Sequence, residues 1–475
     1  MSQTITIEPV SRVEGHAKIT IHLDERGEVA EARFHVLEFR GFEKFCDGRH
    51  FQEMPALTSR ICGICPVSHM LASADAGDHI LAVQVPDAAV LLRRVVNLAQ
   101  IVQSHALSYF YLASPDLLLG YDADPAQRNI LGVAAMDPEF ARRGIRVRKF
   151  GQTVIERIAG KRIHASWAVA GGVNAALTRE DRDAILADLP EAIETAQLTL
   201  DRFRQSLDAH ADEARSFGNF PTLFLGMVTP DGTLETYGGR LRLIDARGTI
   251  LADQLDAEQA KALIKEAVNP WSYLKSPYYA PLGEAAGTYR VGPLARLNVA
   301  ERCGTPLADA EFARFRALSS GPVCSSFHYH YARLIEILYG LERIGELLQD
   351  PLALDPVVIA HASRNRAHGV GMSEAPRGTL FHDYTVDPNG VLTSVDLLIA
   401  TGQNNLAMNR AVTQVARATI DARRLNESML NKVEASIRAF DPCLSCSTHA
   451  AGMMPMSLQL VDHEGAIIDT LDRTT

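Results

Sequence analysis

Two short stretches near opposite ends of the chain decide how it must fold. The first is Arg60-Ile61-Cys62-Gly63-Ile64-Cys65-Pro66-Val67-Ser68-His69, and the second is Asp441-Pro442-Cys443-Leu444-Ser445-Cys446-Ser447-Thr448-His449. Each stretch holds a CxxC pair with a histidine soon after it. Two thiolates at this spacing can reach one ion, and Gly63 would let the first pair bend around it. We therefore expect the two ends of the chain to meet at a metal.

The residue types leave the identity of the metal open. Four thiolates suit zinc, an iron–sulfur cluster or nickel. Zinc ribbons place their two pairs about 15–20 residues apart, whereas nearly the whole chain separates Cys65 from Cys443. A local zinc knuckle is therefore disfavoured. Two readings without a metal are a pair of small buried cysteine clusters and a thioredoxin-like redox pair, which would need a strand–helix–strand context that neither pair has.

Composition excludes several classes of protein. The 475 residues include 47 basic and 57 acidic side chains, for a net charge of −10 at pH 7, which argues against nucleic acid as a partner. No stretch approaches the about 18 apolar residues of a membrane span, and the N-terminus has no secretory signal pattern. Seven cysteines, an odd number, are not typical of a disulfide framework. We therefore expect a reducing, cytoplasmic location.

Hydrophobic periodicity predicts an α+β fold that is mainly α, a central bundle of long helices with peripheral β-hairpins and small sheets. Residues 1–40 read as a hairpin whose inward side chains are Ile19, Ile21, Leu23, Ala30, Ala32, Phe34 and Val36. Helices are predicted at about 88–112 (capped by Asp87), 179–214 (capped by Thr178), 257–267, 309–347 and 408–437, and strands within about 218–252 and 379–400. No linker or repeat marks a boundary, so residues 1–449 should form one interwoven unit.

The two cysteine stretches resemble the N- and C-terminal signatures of the large subunit of nickel–iron hydrogenases, RxCGxCxxxH and DPCxxCxxH. Further blocks resemble the same family in the same order: Arg12–His16, Arg40–Glu43, Gly160–His164 with Gly171–Val173, and Glu374–Gly378. The amino-acid sequences of Gly48–Met54 and of the C-terminal cysteine stretch are most similar to those of the cytoplasmic, bidirectional, NAD-linked subgroup.

The resemblance implies a catalytic centre that splits H2. Cys62 and Cys443 would be terminal nickel ligands, while Cys65 and Cys446 would bridge nickel to an iron that carries carbonyl and cyanide ligands. Cleavage would be heterolytic, with the proton passing to Cys443. Glu14 would take it onward, because a carboxylate beside a thiolate can accept and release a proton near neutral pH.

The resemblance also implies residues around that centre. Arg377 would place a fixed cation over the metals and hydrogen-bond a cyanide. Glu43 and His449 would bind a buried Mg2+, together with a backbone carbonyl near 397–405. His69, Asp441 and Pro376 would orient the ligands.

Each of these residues has an ordinary alternative, and the sequence departs from the family in places. Taken alone, Glu14 could be a surface carboxylate and Arg377 a turn arginine. Ser104 stands where membrane-bound relatives often have an aspartate. Residues 401–409 lack the Pro-Ser/Thr pair that commonly faces the cyanides.

As an enzyme, the chain would perform the hydrogen half of H2 + NAD+ ⇌ NADH + H+. It has no GxGxxG motif after a strand and no third cysteine cluster, so no NAD or flavin is expected on it. Electrons would leave through a small subunit that carries an iron–sulfur cluster, toward diaphorase subunits. The alternatives are a hydrogenase linked to NADP or ferredoxin, a non-catalytic homologue like the quinone-side subunit of complex I, which lacks the four cysteines, and a zinc-stabilised scaffold.

The last 26 residues have a separate expected fate. Residues 450–475 have a strand-like pattern typical of a terminal hairpin. In the family that the chain resembles, the segment after the last histidine is a propeptide. We expect a maturation endopeptidase to cleave between His449 and Ala450 after nickel insertion.

Overall fold

The fold is built around long helices. The computed structural model describes residues 4–421, 424–448, 456–461 and 467–473. Its longer helices are Pro66–Leu81, Asp87–Leu107, Pro138–Ala159, Arg179–Ser206, Pro306–Arg316, Tyr329–Gln349, Asn405–Thr419 and Glu427–Arg438. Asp87–Leu107 packs against Pro138–Ala159 and Tyr329–Gln349, and the last of these also packs against Arg179–Ser206. Small sheets surround this bundle, which confirms the predicted mainly α, α+β class.

Shorter helical segments connect these elements. They are Phe42–Cys46, Phe51–Glu53, Met54–Thr58, Ser59–Ile61, Ser114–Leu119, Ile130–Met136, Asp208–His210, Ala211–Ser216, Ala257–Ala262, Ala280–Leu282, Gly283–Ala286, Pro293–Val299, Ser326–His328, Pro351–Leu354, Ala400–Gln403 and Leu444–Ser447. A π-helical turn, Ser108–Ala113, continues the helix predicted at 88–112.

The two predicted helix caps have different outcomes. Thr178 caps Arg179–Ser206 as expected, because its hydroxyl accepts a hydrogen bond from the Asp181 amide at 3.1 Å. Asp87 does not cap its helix. The cap position is taken by Pro86, whose extended backbone directly precedes the first turn, and Asp87 is the first helical residue.

Four predicted helices are shorter than expected. In 179–214 the helix ends at Ser206, and Asp208–His210 and Ala211–Ser216 are separate short segments. The segment 309–347 holds two helices, Pro306–Arg316 and Tyr329–Gln349, because Gly321-Pro322 lies between them and proline cannot continue a helix. The segment 408–437 is divided into Asn405–Thr419 and Glu427–Arg438, and Asn426 caps the second of them. In 257–267 the helix ends at Ala262, and Ile264–Ala267 is a strand paired with Ser276–Tyr279.

The N-terminal hairpin, Ala17–Leu23 with Val29–Val36, is present and gains a third antiparallel strand, Thr4–Ile7. Its predicted inward side chains are buried with one exception, Ala30. The register shifts at this end of the hairpin, so that His22 pairs with Glu31 while Leu23 pairs with Val29. Ala30 is the extra residue of this bulge and is exposed.

Both predicted strand-rich segments form sheets. Leu223–Val228, Arg240–Ile244 and Ile250–Leu255 are antiparallel neighbours, and Tyr289–Arg290 from outside the predicted segment joins them in parallel. The second sheet has the order His368–Ala375, Gly378–Val386, Leu392–Leu398. The remaining strand pairs are Ala168–Val169 with Gly172–Val173 and Met456–Val461 with Ile467–Arg473.

One close approach positions the rest of the molecule around the cysteines. Strand His368–Ala375 lies directly against helix Pro66–Leu81, where a Cβ on Gly371 would be 2.2 Å from the carbonyl oxygen of Ala72. The Met372 amide donates to Asp75 at 2.9 Å, and the Ser373 hydroxyl donates to the Ser68 carbonyl at 3.0 Å. The start of the helix and the end of the strand are therefore held side by side.

Among the described residues, no helix is both long enough and apolar enough to cross a membrane.

Candidate metal centre

The first CxxC pair lies between a short 3-10 turn and a helix. Cys62 is extended, and Cys65 directly precedes Pro66, the first residue of Pro66–Leu81. The Cys62 sulfur accepts hydrogen bonds from the amides of Ile64 at 3.2 Å and Cys65 at 3.3 Å. Gly63 has no positive φ, and a Cβ there would meet no atom within 4 Å. The turn is therefore held by bonds to the thiol, and the expectation that it depends on glycine is wrong.

The second pair follows helix Glu427–Arg438. Asp441 turns the chain with φ 54, and Cys443 begins the short helix Leu444–Ser447. The Cys443 amide donates to the hydroxyl of Thr401 at 2.9 Å. A threonine hydroxyl from 401–409 thus contacts this pair, although the Pro-Ser/Thr pair expected in that segment is missing.

The four sulfurs form one buried cluster. Cys62 lies 3.4 Å from Cys443, Cys65 lies 3.5 Å from Cys446, and Cys443 and Cys446 are 3.0 Å apart, measured between sulfurs. All four ligand atoms lie within 4.8 Å of one another, and the most exposed cysteine, Cys65, is only 5% exposed. The structure thus brings together the two ends of the chain.

The chemistry of these donors fits a soft cation. Hydrogen bonds from Cys443, Cys446 and Cys65 hold the pKa of Cys62 well below its ordinary value. In contrast, burial and the neighbouring thiols raise the pKa of Cys446 well above it. Protein groups alone thus do not keep all four thiols ionised in this apolar site. A soft metal such as nickel can do so, because its charge compensates the buried thiolates.

Arg377 lies beside the cluster at the tip of a tight hairpin. Ala375 pairs with Gly378, so Pro376 and Arg377 form the two-residue turn. The Arg377 side chain donates to Asp441 Oδ1 at 3.1 Å, to the Asp441 carbonyl and to Ser104 Oγ at 3.4 Å. Ser104, which stands where membrane-bound relatives often have an aspartate, is thus in contact with this arginine.

The charge of Arg377 is secured by its surroundings. The side chain is 3% exposed, and burial alone would lower its pKa. The Asp441 carboxylate and the thiolates of Cys443, Cys65 and Cys62 outweigh that effect and raise the pKa of Arg377 well above its usual range. The structure therefore holds a permanent cation next to the sulfurs.

Glu14 is attached to the C-terminal cysteine loop. Its backbone pairs with Cys443, and its carbonyl accepts the Leu444 amide at 3.2 Å. Its carboxylate accepts the Ser445 amide at 3.0 Å and the Ser445 hydroxyl. Glu14 is half-buried. These contacts place it at the cluster and exclude the reading of Glu14 as a detached surface carboxylate.

Glu43 lies on the short helix Phe42–Cys46. Its carboxylate accepts the Leu397 amide at 2.9 Å, within the segment expected to supply a magnesium ligand. The amides of Arg40 and Gly41 both donate to the Thr448 carbonyl at 3.0 Å, so the end of the C-terminal cysteine stretch lies next to the residues that precede Glu43. His449 and the predicted cleavage site lie outside the described residues. Within the described part of the chain, the four cysteines are the one group of metal-ligand side chains that converges.

The residues expected to orient the ligands are buried. His69 Nδ1 lies 3.2 Å from His382 Nε2, and His382 in turn contacts the Tyr384 hydroxyl. Asp441 contacts Arg377, as described, and the Pro376 carbonyl accepts a hydrogen bond from Arg296. Sequence reasoning missed His382, because a buried histidine on a strand has no local pattern that distinguishes it.

Arg40 is a second residue that sequence reasoning left without a role. Its guanidinium donates to the Ile61 carbonyl, next to Cys62, and to the Ser445 carbonyl, between Cys443 and Cys446. Arg40 therefore bridges the two cysteine loops. The available signal was its place in the Arg40–Glu43 block.

Comparison with known proteins agrees with this geometry. A model of the nickel-dependent hydrogenase family matches residues 40–130 and 251–449, and a model described as HoxL-like matches residues 4–39. The beta subunit of the NAD-reducing hydrogenase HoxS of Cupriavidus necator is 42% identical, covering 99% of each chain. A chain of the F420-non-reducing hydrogenase vhc of Methanococcus voltae is 40% identical, covering 98% of this chain and 99% of the relative.

Solved structures give the same result. The crystal structure of an NAD+-reducing NiFe hydrogenase in the H2-reduced state superimposes with a TM-score of 0.91 and 47% identity, covering 94% of this chain and 99% of that one. Family match, sequence identity and fold agree over nearly the whole length and confirm the resemblance seen in the sequence. The chain belongs to the nickel-dependent hydrogenase family, in which it is a large subunit.

Proposed function

We propose that this chain is the catalytic subunit of a hydrogenase complex that cleaves H2 reversibly and delivers the electrons to NAD+. The observation that carries the proposal is the buried four-cysteine cluster, with the Arg377 cation beside it and the Glu14 carboxylate bound to Ser445, between Cys443 and Cys446. NAD+ as the acceptor is supported by the relative from Cupriavidus necator and by the similar NAD+-reducing structure.

The four cysteines would bind the two metals in two different ways. Cys62 and Cys443 would bind nickel alone, while Cys65 and Cys446 would also bind an iron with carbonyl and cyanide ligands. When bound, this centre supplies the electron exchange by which H2 is cleaved heterolytically. The Cys443 sulfur accepts the proton, and Glu14 carries it away from the cluster along the Ser445 side of the loop.

Arg377 stabilises negative charge at the centre. Its guanidinium is fixed by Asp441 and Ser104, so it needs no rearrangement during the reaction. A buried cation of this kind would also hydrogen-bond a cyanide ligand, which distinguishes Arg377 from an arginine that only neutralises Asp441.

Mg2+ would be bound near the chain end. Glu43 and His449 would be ligands, and the contact of Glu43 with the Leu397 amide supports a third ligand from the neighbouring backbone. Removal of residues 450–475 by a maturation endopeptidase would leave His449 as the last residue, free to adopt that position.

The complex would contain further subunits. A small subunit with an iron–sulfur cluster would take electrons from the centre, and diaphorase subunits with flavin would reduce NAD+. None of the seven cysteines is bonded to another, which supports a cytoplasmic location. A second candidate function uses a different electron acceptor, because the F420-non-reducing relative is almost as similar as the NAD-reducing one.

The test is metal analysis and infrared spectroscopy of the complex purified without oxygen. We expect about one nickel and one iron per chain, carbonyl and cyanide stretching bands, and H2-dependent reduction of NAD+ in preference to NADP+ or ferredoxin. Cys443→Ala should lose nickel, whereas Cys303→Ala, a buried cysteine outside the cluster, should keep it. Zinc as the sole metal would overturn the proposal, and reduction of ferredoxin alone would replace NAD+ as the acceptor.

A further inference from the structure

Arg296 lies directly behind the turn that carries Arg377. It is fully buried, on the short helix Pro293–Val299. The helix begins at Gly292, where φ is 93 and an added Cβ would be 2.7 Å from the Arg377 carbonyl oxygen. The start of this helix thus touches the backbone of the turn.

The Arg296 guanidinium has five N–H groups and donates five hydrogen bonds. Two go to Glu336, at 2.7 and 2.6 Å, and one goes to Glu374 at 2.8 Å. The other two go to backbone carbonyls, Ala375 at 2.9 Å and Pro376 at 3.1 Å. Those two carbonyls directly precede Arg377 in the chain.

The acidic partners of Arg296 are themselves fixed. Glu336 also contacts His105 Nε2 at 2.7 Å. Glu374 accepts hydrogen bonds from the Thr379 hydroxyl at 2.8 Å and the Met227 amide at 3.0 Å. Although burial would raise it, the Arg296 cation lowers the pKa of Glu336 to about 2, while burial lowers the pKa of His105 to about 4. At neutral pH, the group therefore combines a charged Arg296–Glu336 pair with a neutral histidine.

We propose that Arg296 is a positioning residue for Arg377: it holds the carbonyls of Ala375 and Pro376, and thereby fixes where the Arg377 guanidinium lies over the cysteine cluster. The inference rests on the proposed role of Arg377 at the metal centre and deepens it. Asp441 and Ser104 hold the Arg377 guanidinium, and Arg296 holds the backbone from which that side chain extends. Buried ion pairs add little net stability compared with apolar packing, so the use of this pair is geometric.

The experiment compares Arg296→Lys and Glu336→Gln with the wild type in the full complex. Lysine keeps the charge but cannot hold Glu336 and two carbonyls at once, because it lacks the planar fork. Glu336→Gln removes one charged anchor and leaves Arg296 in place. We expect both variants to keep nickel and to lower kcat by about 10- to 100-fold with little change in the KM for H2. We also expect both to shift the cyanide stretching bands in the same direction as Arg377→Lys, measured alongside them as a reference.

Arg93→Lys is the matched control. Arg93 is equally buried, pairs with Asp78 at 2.6 Å and donates to the carbonyls of Val169 and Gly172, in another hairpin. It should lower the thermal midpoint without moving the cyanide bands. The positions of the cyanide bands distinguish a displaced Arg377 from a general loss of stability, because a loss of stability alone leaves the bands unchanged.

The outcomes are distinct. If the Arg296 and Glu336 variants retain the wild-type cyanide bands and kcat, the positioning role is wrong, even if both unfold at lower temperature. If the wild-type complex itself shows no cyanide bands, the proposed nickel–iron site fails first. If Arg296→Lys does not assemble, Glu336→Gln alone decides between shifted and unshifted bands.

Discussion

Glu14 is bound to the C-terminal cysteine loop through its backbone and its carboxylate, which supports its proposed role as the proton acceptor after Cys443. Glutamine preserves the size of the side chain and an oxygen for the Ser445 amide, but it cannot carry a proton. We expect Glu14→Gln to keep nickel and iron and to lower the exchange of hydrogen between H2 and D2O by about 100-fold or more. Isotope exchange followed by mass spectrometry measures this.

Glu38→Gln is the control for this change, since Glu38 lies near the same segment but contacts the exposed His16. It should exchange at the wild-type rate. Wild-type exchange in Glu14→Gln would remove Glu14 from the proton route.

Asp116 is a buried carboxylate whose replacement we expect to lower the stability of the fold. It is 2% exposed and is bound by Arg12, by Arg438 at 3.1 Å and by Asn431 at 3.0 Å. Burial would raise the pKa of Asp116, but Arg438 and Arg12 outweigh burial and lower it. A carboxyl with a lowered pKa stabilises the fold above its unfolded pKa, and that stabilisation is lost as the pH falls through the folded pKa.

We therefore expect Asp116→Asn to lower stability by about 3 kcal/mol near pH 7. The half-buried Arg12 would lose its carboxylate partner, and the buried Arg438 would keep only Glu434 of its two. The stability difference between wild type and Asp116→Asn should narrow as the pH falls below the unfolded pKa of about 4 toward the lowered pKa of folded Asp116. Thermal midpoints measured across pH test this. Asp231→Asn, at an exposed surface pair, should change little, and a pH-independent difference for Asp116→Asn would contradict the argument.

At the scale of elements, the contact between helix Pro66–Leu81 and strand His368–Ala375 is the critical one. A Cβ on Gly371 would be 2.2 Å from both the Ala72 oxygen and the Ala76 nitrogen, which are backbone atoms that cannot rotate away. We expect Gly371→Ala to separate strand from helix, to lower stability by about 1–3 kcal/mol and to reduce the nickel content. Thermal unfolding and metal analysis measure both effects.

Gly321→Ala provides the comparison, because its Cβ would come no closer than 3.8 Å to any atom and its φ is not positive. It should retain wild-type stability and nickel. Full nickel content in Gly371→Ala would show that the helix–strand contact does not position the cysteines.

Local signals explain which elements the sequence predicts. Helix Asp87–Leu107 and the cap at Thr178 follow from patterns a few residues long, and so does the N-terminal hairpin. The bulge at Ala30 depends on register between two strands, and the break at Gly321-Pro322 interrupts a pattern that otherwise continues. Such features need information from a partner element or from a single residue that overrides its neighbours.

In the candidate site, too, local motifs were predicted from the sequence and contacts between distant residues were not. The two CxxC stretches were visible because each is a compact local motif, and their meeting was expected from chemistry. The contacts of Arg296, His382 and Thr401 were not, since each depends on residues distant in the chain. Only the folded backbone brings these groups together.

At the scale of the whole molecule, the proposed removal of residues 450–475 predicts the length of the mature chain. If residues 450–475 are a propeptide, the large subunit of the active complex should end at His449. Intact mass spectrometry of the active complex, compared with the chain produced without its maturation endopeptidase, measures this. Thr475 retained in nickel-containing, active enzyme would contradict the prediction.

The wide separation of the two cysteine pairs also sets the shortest time after which a newly made chain can bind the metals with all four thiols. Cys62 and Cys443 are 381 residues apart, so at about 5–20 residues per second the ribosome needs roughly 20 to 80 s after making the first pair to make the second. A chain that ends before Cys443 has only two of the four cluster thiols and cannot hold the full centre. Nickel held by all four cysteines therefore shows that translation has passed Cys446.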